Sequence, residues 1–161
     1  MCGYDDFDAF FRADFAPLVA FLCKAGFEVE TARDVAAEAM LHALEAWPSI
    51  DEPRAWVRGA AGRLLAAPEQ ARGEWTPAGD LDDEKLAALV EQHSRIIELL
   101  AALPDQQRMV LTWSLDGFTP AQIAKALRIT PATVRSNLRH VRERLKRQHR
   151  AGPPDDTRDR K

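Results

Sequence analysis

Apolar residues recur every three to four positions along almost the whole chain, the spacing that puts side chains on one face of an α-helix. Alternating β-branched runs, the mark of strands, are missing, and Ala and Leu dominate. The pattern predicts an all-α protein. A first helix or helix pair covers residues 6–25, with Phe7, Phe10, Phe11, Phe15, Leu18, Phe21 and Leu22 on its apolar side. Pro17 should break or kink it, because proline has no N–H to give to the helix ladder, and Gly26 ends it. A second helix, residues 31–47, carries Val35, Ala39, Met40, Ala43, Leu44 and Trp47 in rhythm. Glu30 or Thr31 can cap its start, and Pro48 stops it. A third, residues 53–67, shows an apolar stripe of Trp56, Val57, Ala60, Leu64 and Leu65, closed by Pro68.

The rhythm is lost over residues 69–82, where Gly73, Pro77 and Gly79 sit among charges. This stretch is expected to link two small helical domains, residues 1–68 and residues 83–150. The Pro-containing, charge-alternating residues 151–161 are expected to be a disordered tail. In the second domain, one helix is predicted over residues 83–102, with Leu86, Leu89, Val90, Ile96, Ile97 and Leu100 on one side. Pro104 opens another at its first position, where the missing N–H costs nothing, and Gly117 ends it.

The most informative segment follows. Thr119-Pro120 pairs a helix N-cap with a first-position proline, and Thr130-Pro131 repeats the device eleven residues later. Two helices are thereby predicted, at residues 120–127 and from 131 onward, with a turn of only Arg128 to Thr130 between them. Small Ala124 lets them approach, and Ile123, Leu127, Ile129, Val134 and Leu138 supply buried contacts. This is a helix-turn-helix layout. Its second helix keeps an inner stripe of Val134, Leu138, Val141 and Leu145.

Composition narrows the possible chemistry. No run of eighteen apolar residues offers a membrane span, and the N-terminus lacks the basic start of a secretory signal. Cys2 and Cys23 lack CxxC spacing and are expected to be free thiols in a reducing cytoplasm. His42, His93, His140 and His149 form no ligand motif. No metal, cofactor, catalytic constellation or small-molecule substrate is expected. The net charge of −3 conceals an asymmetry. Up to Leu103 there are nine Lys/Arg and nineteen Asp/Glu; from Pro104 onward there are thirteen and six. An acidic front and a basic back imply different partners, nucleic acid being the natural one for the back.

From Thr119 to Arg150 the chain holds nine Lys/Arg and one acid, Glu143. A charge run by itself describes a solvated helix face. On the second helix of a doubly capped helix-turn-helix it points to DNA, because arginine can read guanine edges, asparagine can read adenine, and further cations can contact phosphates. The candidate DNA-contacting residues are Thr133, Arg135, Ser136, Asn137, Arg139, His140 and Arg142, favoured toward the helix start. Thr119, Gln122, Lys125 and Thr130 are candidate supports.

These residues carry a resemblance. Leu103-Pro104-Asp105-Gln106-Gln107-Arg108 is similar to the LPxxxR entry of region 4 in sigma factors of the extracytoplasmic-function (ECF) type. Residues 116–124 resemble its xGxSxxEIA segment, and residues 133–145 its TVKSRLxRARxxL recognition helix. Upstream, residues 33–47 resemble region 2.2, xDVxQExFLxxW, and Pro53-Arg54-Ala55-Trp56-Val57 resembles the opening of region 2.3. The resemblance implies a transcription initiation factor, not an enzyme, reading the minus-35 promoter element through the second helix of the helix-turn-helix. Its implied partners are promoter DNA and core RNA polymerase, through the β′ clamp helices and the β flap; an anti-sigma factor could also bind. Asp34, Glu38, Met40 and Leu41 would lie on or beside the polymerase-gripping surface.

The chain departs from the pattern after Trp56. Where the family continues into a long helix rich in Asn, Asp, aromatic and Arg residues, this chain has Gly59 and Gly62, which weaken a helix, and then Pro68. Arg54, Trp56, Arg58 and Arg63 are the candidate minus-10 contacts that remain. Two other readings stay open: a stand-alone helix-turn-helix regulator of the LuxR kind, and a sigma-derived interaction protein that has lost promoter opening.

Overall fold

The computed structural model describes residues 4–66 and 83–150. Among them it contains eight α-helices, a short 3-10 turn and no strand, so the all-α class is observed. The helices are α1 (Tyr4–Lys24), α2 (Val29–Ala46), α3 (Pro53–Ala66), α4 (Asp83–Gln92), α5 (Ser94–Ala101), α6 (Asp105–Leu115), α7 (Pro120–Leu127) and α8 (Pro131–Arg150); the 3-10 turn is Trp47–Ser49. The expected linker at 69–82 and tail at 151–161 lie outside the described residues. The helices divide into two compact units between Ala102 and Leu103.

In the first unit α2 is the central helix, packed on α1 and α3. Ala32, Ala36, Ala39 and Ala43 are buried along it, and side chains this small let its neighbours come close. Against them lie Phe15, Leu18, Phe21 and Leu22 of α1 and Val57, Ala60 and Ala61 of α3, all buried. Full burial of each large apolar side chain stabilises by about 1.5–3 kcal/mol. Helix α1 runs through Pro17 without the expected break. Pro17 is exposed, so one ladder bond is lost on the solvent side while Phe15, Leu18 and Val19 stay buried around it.

The single helix expected over residues 83–102 is two. The break falls at His93, whose backbone leaves the helical region (φ −100°, ψ 4°) and whose Nδ1 lies 2.8 Å from the Leu89 carbonyl oxygen. Both α4 and α5 pack on α1, in the first unit. Leu86 and Leu100 are buried, while Ile96 and Leu99 remain exposed.

The second unit is α6, α7 and α8, with α8 packed on both others. Val110, Trp113, Phe118, Ile123, Ala124, Val134 and Val141 form its core. Helix α6 ends in a Schellman turn: Phe118 N donates to Trp113 O (3.3 Å) and Gly117 N to Ser114 O (3.1 Å). Gly117 takes the required positive φ of 93°, and the Phe118 ring packs on Trp113 with centroids 4.9 Å apart. Helix α1 closes in the same way through Gly26, at φ 109°. Helix α7 ends on a left-handed residue too, but without glycine. Arg128 sits at φ 57°, ψ 44°, and Ile129 N donates to Ala124 O at 3.1 Å. A left-handed conformation costs a non-glycine residue about 1–2 kcal/mol.

Candidate nucleic-acid interface

Both helix starts predicted from the Thr-Pro pairs form. Thr119 Oγ1 accepts from Gln122 N (3.3 Å), and the Gln122 side chain accepts from Thr119 N (2.9 Å), which completes a capping box. Thr130 Oγ1 accepts from Thr133 N at 3.1 Å and lies 2.8 Å from Thr133 Oγ1. Thr119, Gln122 and Thr130 therefore set where α7 and α8 begin. Lys125 is exposed on α7.

Helix α8 separates its polar residues by direction. Arg135, Arg139, His140 and Arg142 are exposed, and Thr133 and Ser136 are half-buried. Among the described residues no acidic side chain pairs with Arg135, Arg139 or Arg142. Their spacing of four and then three positions lines them up on one face, and Lys146 extends the line by another turn. The result is a straight cationic stripe along the second helix of the motif. Such a helix fits the roughly 12 Å wide major groove of B-DNA, where guanidinium groups can reach guanine edges near the helix start and phosphates further along.

Asn137 corrects the expectation made for it. It is only 8% exposed, and its Nδ2 donates to Thr133 O at 2.9 Å and to Gln106 Oε1 at 3.2 Å. Its donors are spent inside the protein and cannot also read an adenine. Gln106, exposed on α6, had no signal in the sequence beyond lying inside the LPxxxR stretch.

The first unit places the remaining candidates on two helices. On α2, Asp34 is exposed and Glu38 and Leu41 half-buried; with Glu45 they run at four- and three-residue spacing along the outer face. Met40 points the other way and is 1% exposed, so it belongs to the core and not to a contact surface. On α3, Trp56 and Arg63 share a groove of about 440 Å³ with His42, Glu45, Ala46, Ala60 and Leu64. His42 and Glu45 were not anticipated; the faintest available signal was their three-residue spacing on α2, facing Trp56, Ala60 and Arg63 at helical spacing on α3.

Arg58 is the second correction. It is 1% exposed. Its Nη1 donates to Asp14 Oδ2 at 2.9 Å and its Nη2 to Asp14 Oδ1 at 3.2 Å, a two-pronged pair between α3 and α1. Its guanidinium carbon also lies 5.4 Å from the centre of the Phe21 ring. Held there, it cannot reach DNA. Arg54, half-exposed, has its Nε 3.8 Å from Asp14 Oδ1.

Cys23 is a buried free thiol, and that burial raises its pKa; Cys2 lies outside the described residues. Among the described residues no cluster of His, Cys, Asp or Glu is arranged to hold a metal ion, and no helix is long and apolar enough to cross a membrane. Residues 93–145 match the family model described as Sigma-70, region 4. That span runs from the break at His93 through Leu145 and contains the whole helix-turn-helix. Compared with curated proteins, the chain finds no match.

Proposed function

We propose that this chain is a sigma factor of the ECF type, which binds core RNA polymerase and brings it to promoters whose upstream element is read by α8. The observation that carries the reading is the coincidence of the region 4 match with a doubly capped helix-turn-helix whose second helix exposes Arg135, Arg139 and Arg142 on one face. The match of residues 93–145 to Sigma-70, region 4 supports reading this segment as a DNA-binding module.

The first unit supplies the other half of the proposal. The outer face of α2, with Asp34, Glu38 and Leu41, suits an acidic and partly apolar grip on the polymerase clamp. Trp56, Arg63 and the part-exposed Arg54 are the residues of α3 left to meet DNA near the minus-10 position. Trp56 offers an aromatic face on which an unstacked base can rest. Helix α8 would then carry an unusual share of recognition, because Arg58 is committed to Asp14. An anti-sigma partner and a cytoplasmic location belong to the same reading.

Run-off transcription with the purified chain and core polymerase tests it. The template is a promoter recovered by mapping DNA bound by the holoenzyme. Transcription that depends on the added chain supports the proposal. Binding to a palindromic duplex as a dimer, with no stable association with core enzyme, would favour the stand-alone regulator.

A further inference from the structure

The inward turn of Asn137 leads to a different role from the one its residue type suggested. One carboxamide nitrogen carries two hydrogens, and both are used. One goes to Thr133 O, one turn back along α8, and the other crosses to Gln106 Oε1 at the start of α6. Thr133 is itself tied to the N-cap, through its N–H and its hydroxyl, at Thr130 Oγ1. A continuous hydrogen-bonded path therefore runs from the cap of α8, through Thr133 and Asn137, to α6. It spans the turn of α8 that carries Arg135 and Ser136. Apolar packing at Val134 and Val141 holds α8 against its neighbours but is non-directional and tolerates small rotations. The bond from Asn137 to Gln106, the one that crosses between the helices, is directional, because hydrogen bonds weaken steeply with angle.

We infer that Asn137 is a positioning residue for sequence reading: its bond to Gln106 sets the rotation of α8 about its own axis, and so the angle at which Arg135 and Arg139 meet base edges. The inference rests on the reading of α8 as a DNA-recognition helix. Phosphate contacts from flexible Lys and Arg side chains survive a small rotation of the helix, whereas a bidentate contact to a base edge does not. Loss of the bond should therefore lower discrimination between sequences much more than it lowers overall attraction to DNA.

The test uses the full chain and a duplex selected by the wild-type protein from a random pool, with a scrambled duplex of the same composition as the comparison. Gln106→Ala is the principal variant, because Gln106 is exposed and its truncation empties no core. Asn137→Ala is the second, and the Gln106→Glu variant keeps the acceptor. The expected result for each alanine variant is a fall of about tenfold in the selected-to-scrambled affinity ratio, with scrambled binding and its salt dependence unchanged. The double variant should be no worse than either single one, since both remove the same bond. Gln106→Glu should retain the ratio. A Gln106→Ala protein that keeps the wild-type ratio overturns the inference while leaving the DNA-binding reading intact. Failure of the wild-type chain to enrich any sequence overturns both.

Discussion

Helices α3 and α8 both bring arginines to places where DNA contacts are expected, and the two sets meet opposite fates. On α3, Arg58 is driven into the core, where Asp14 takes both prongs of its guanidinium. On α8, Arg135, Arg139 and Arg142 stay in solvent without an acidic partner among the described residues. The difference comes from what surrounds each helix. Helix α3 packs on α2 and touches α1, whose Asp14 is itself buried and needs a counter-charge. The inner side of α8 is filled by Val134, Asn137 and Val141, so its arginines have nowhere to go but outward. Arginine content alone thus says little about nucleic-acid contact; the availability of a buried carboxylate decides whether the cation is structural or chemical.

The sharpest way to break that contrast is Arg58→Ala. It leaves the Asp14 carboxylate buried without this partner and should destabilise the first unit by about 3–5 kcal/mol. Chemical denaturation followed by Trp fluorescence checks it, and a loss below 1 kcal/mol would mean that the pair is dispensable. Arg139→Ala should behave in the opposite sense. Thermal stability stays within error, while affinity for a selected duplex falls by about 1–3 kcal/mol, measured by fluorescence anisotropy at fixed salt. An equal loss on scrambled DNA would reassign Arg139 to phosphate contact. Between α7 and α8, Arg128→Gly removes the positive-φ penalty that Gly26 and Gly117 avoid at the matching positions. It should stabilise the second unit by about 1 kcal/mol, visible as a raised melting temperature. The smallest effect is expected back on α3. A Cβ at Gly62 meets nothing within 4 Å, so Gly62→Ala should add about 0.5–1 kcal/mol through helix propensity. A destabilised Gly62→Ala protein would indicate that α3 needs the glycine for more than space.

What could be read from the sequence was local. The Thr-Pro pairs state their own consequences within four residues, and both caps form where the pairs stand. The helical repeat carries enough redundancy to establish an all-α class. What stayed hidden depends on partners far along the chain. Arg58 is buried because of Asp14, forty-four positions away, and Asn137 turns inward because of Gln106, thirty-one positions away. Met40 sits beside Leu41 in the sequence and opposite it in space, and no motif distinguishes which of two adjacent apolar residues faces the core. The break at His93 was invisible because the residues on both sides favour helix, and the interruption is set by the backbone and ring of one histidine. Pro17 marks the reverse case, a strong local breaker overruled by burial on either side.

Helix α5 carries a practical consequence for anyone dissecting the molecule. The region 4 match begins at His93, yet α5 packs on α1, on the other side of the division at Ala102. A fragment cut at the family boundary would carry off the half-buried Ile97 and the buried Leu100 without the surface that α1 provides, beside Ile96 and Leu99, which are exposed already. Such a fragment is expected to self-associate and to need detergent or a solubilising fusion, whereas one starting at Leu103 would not. The start of the family match and the edge of the compact unit are, in this chain, ten residues apart.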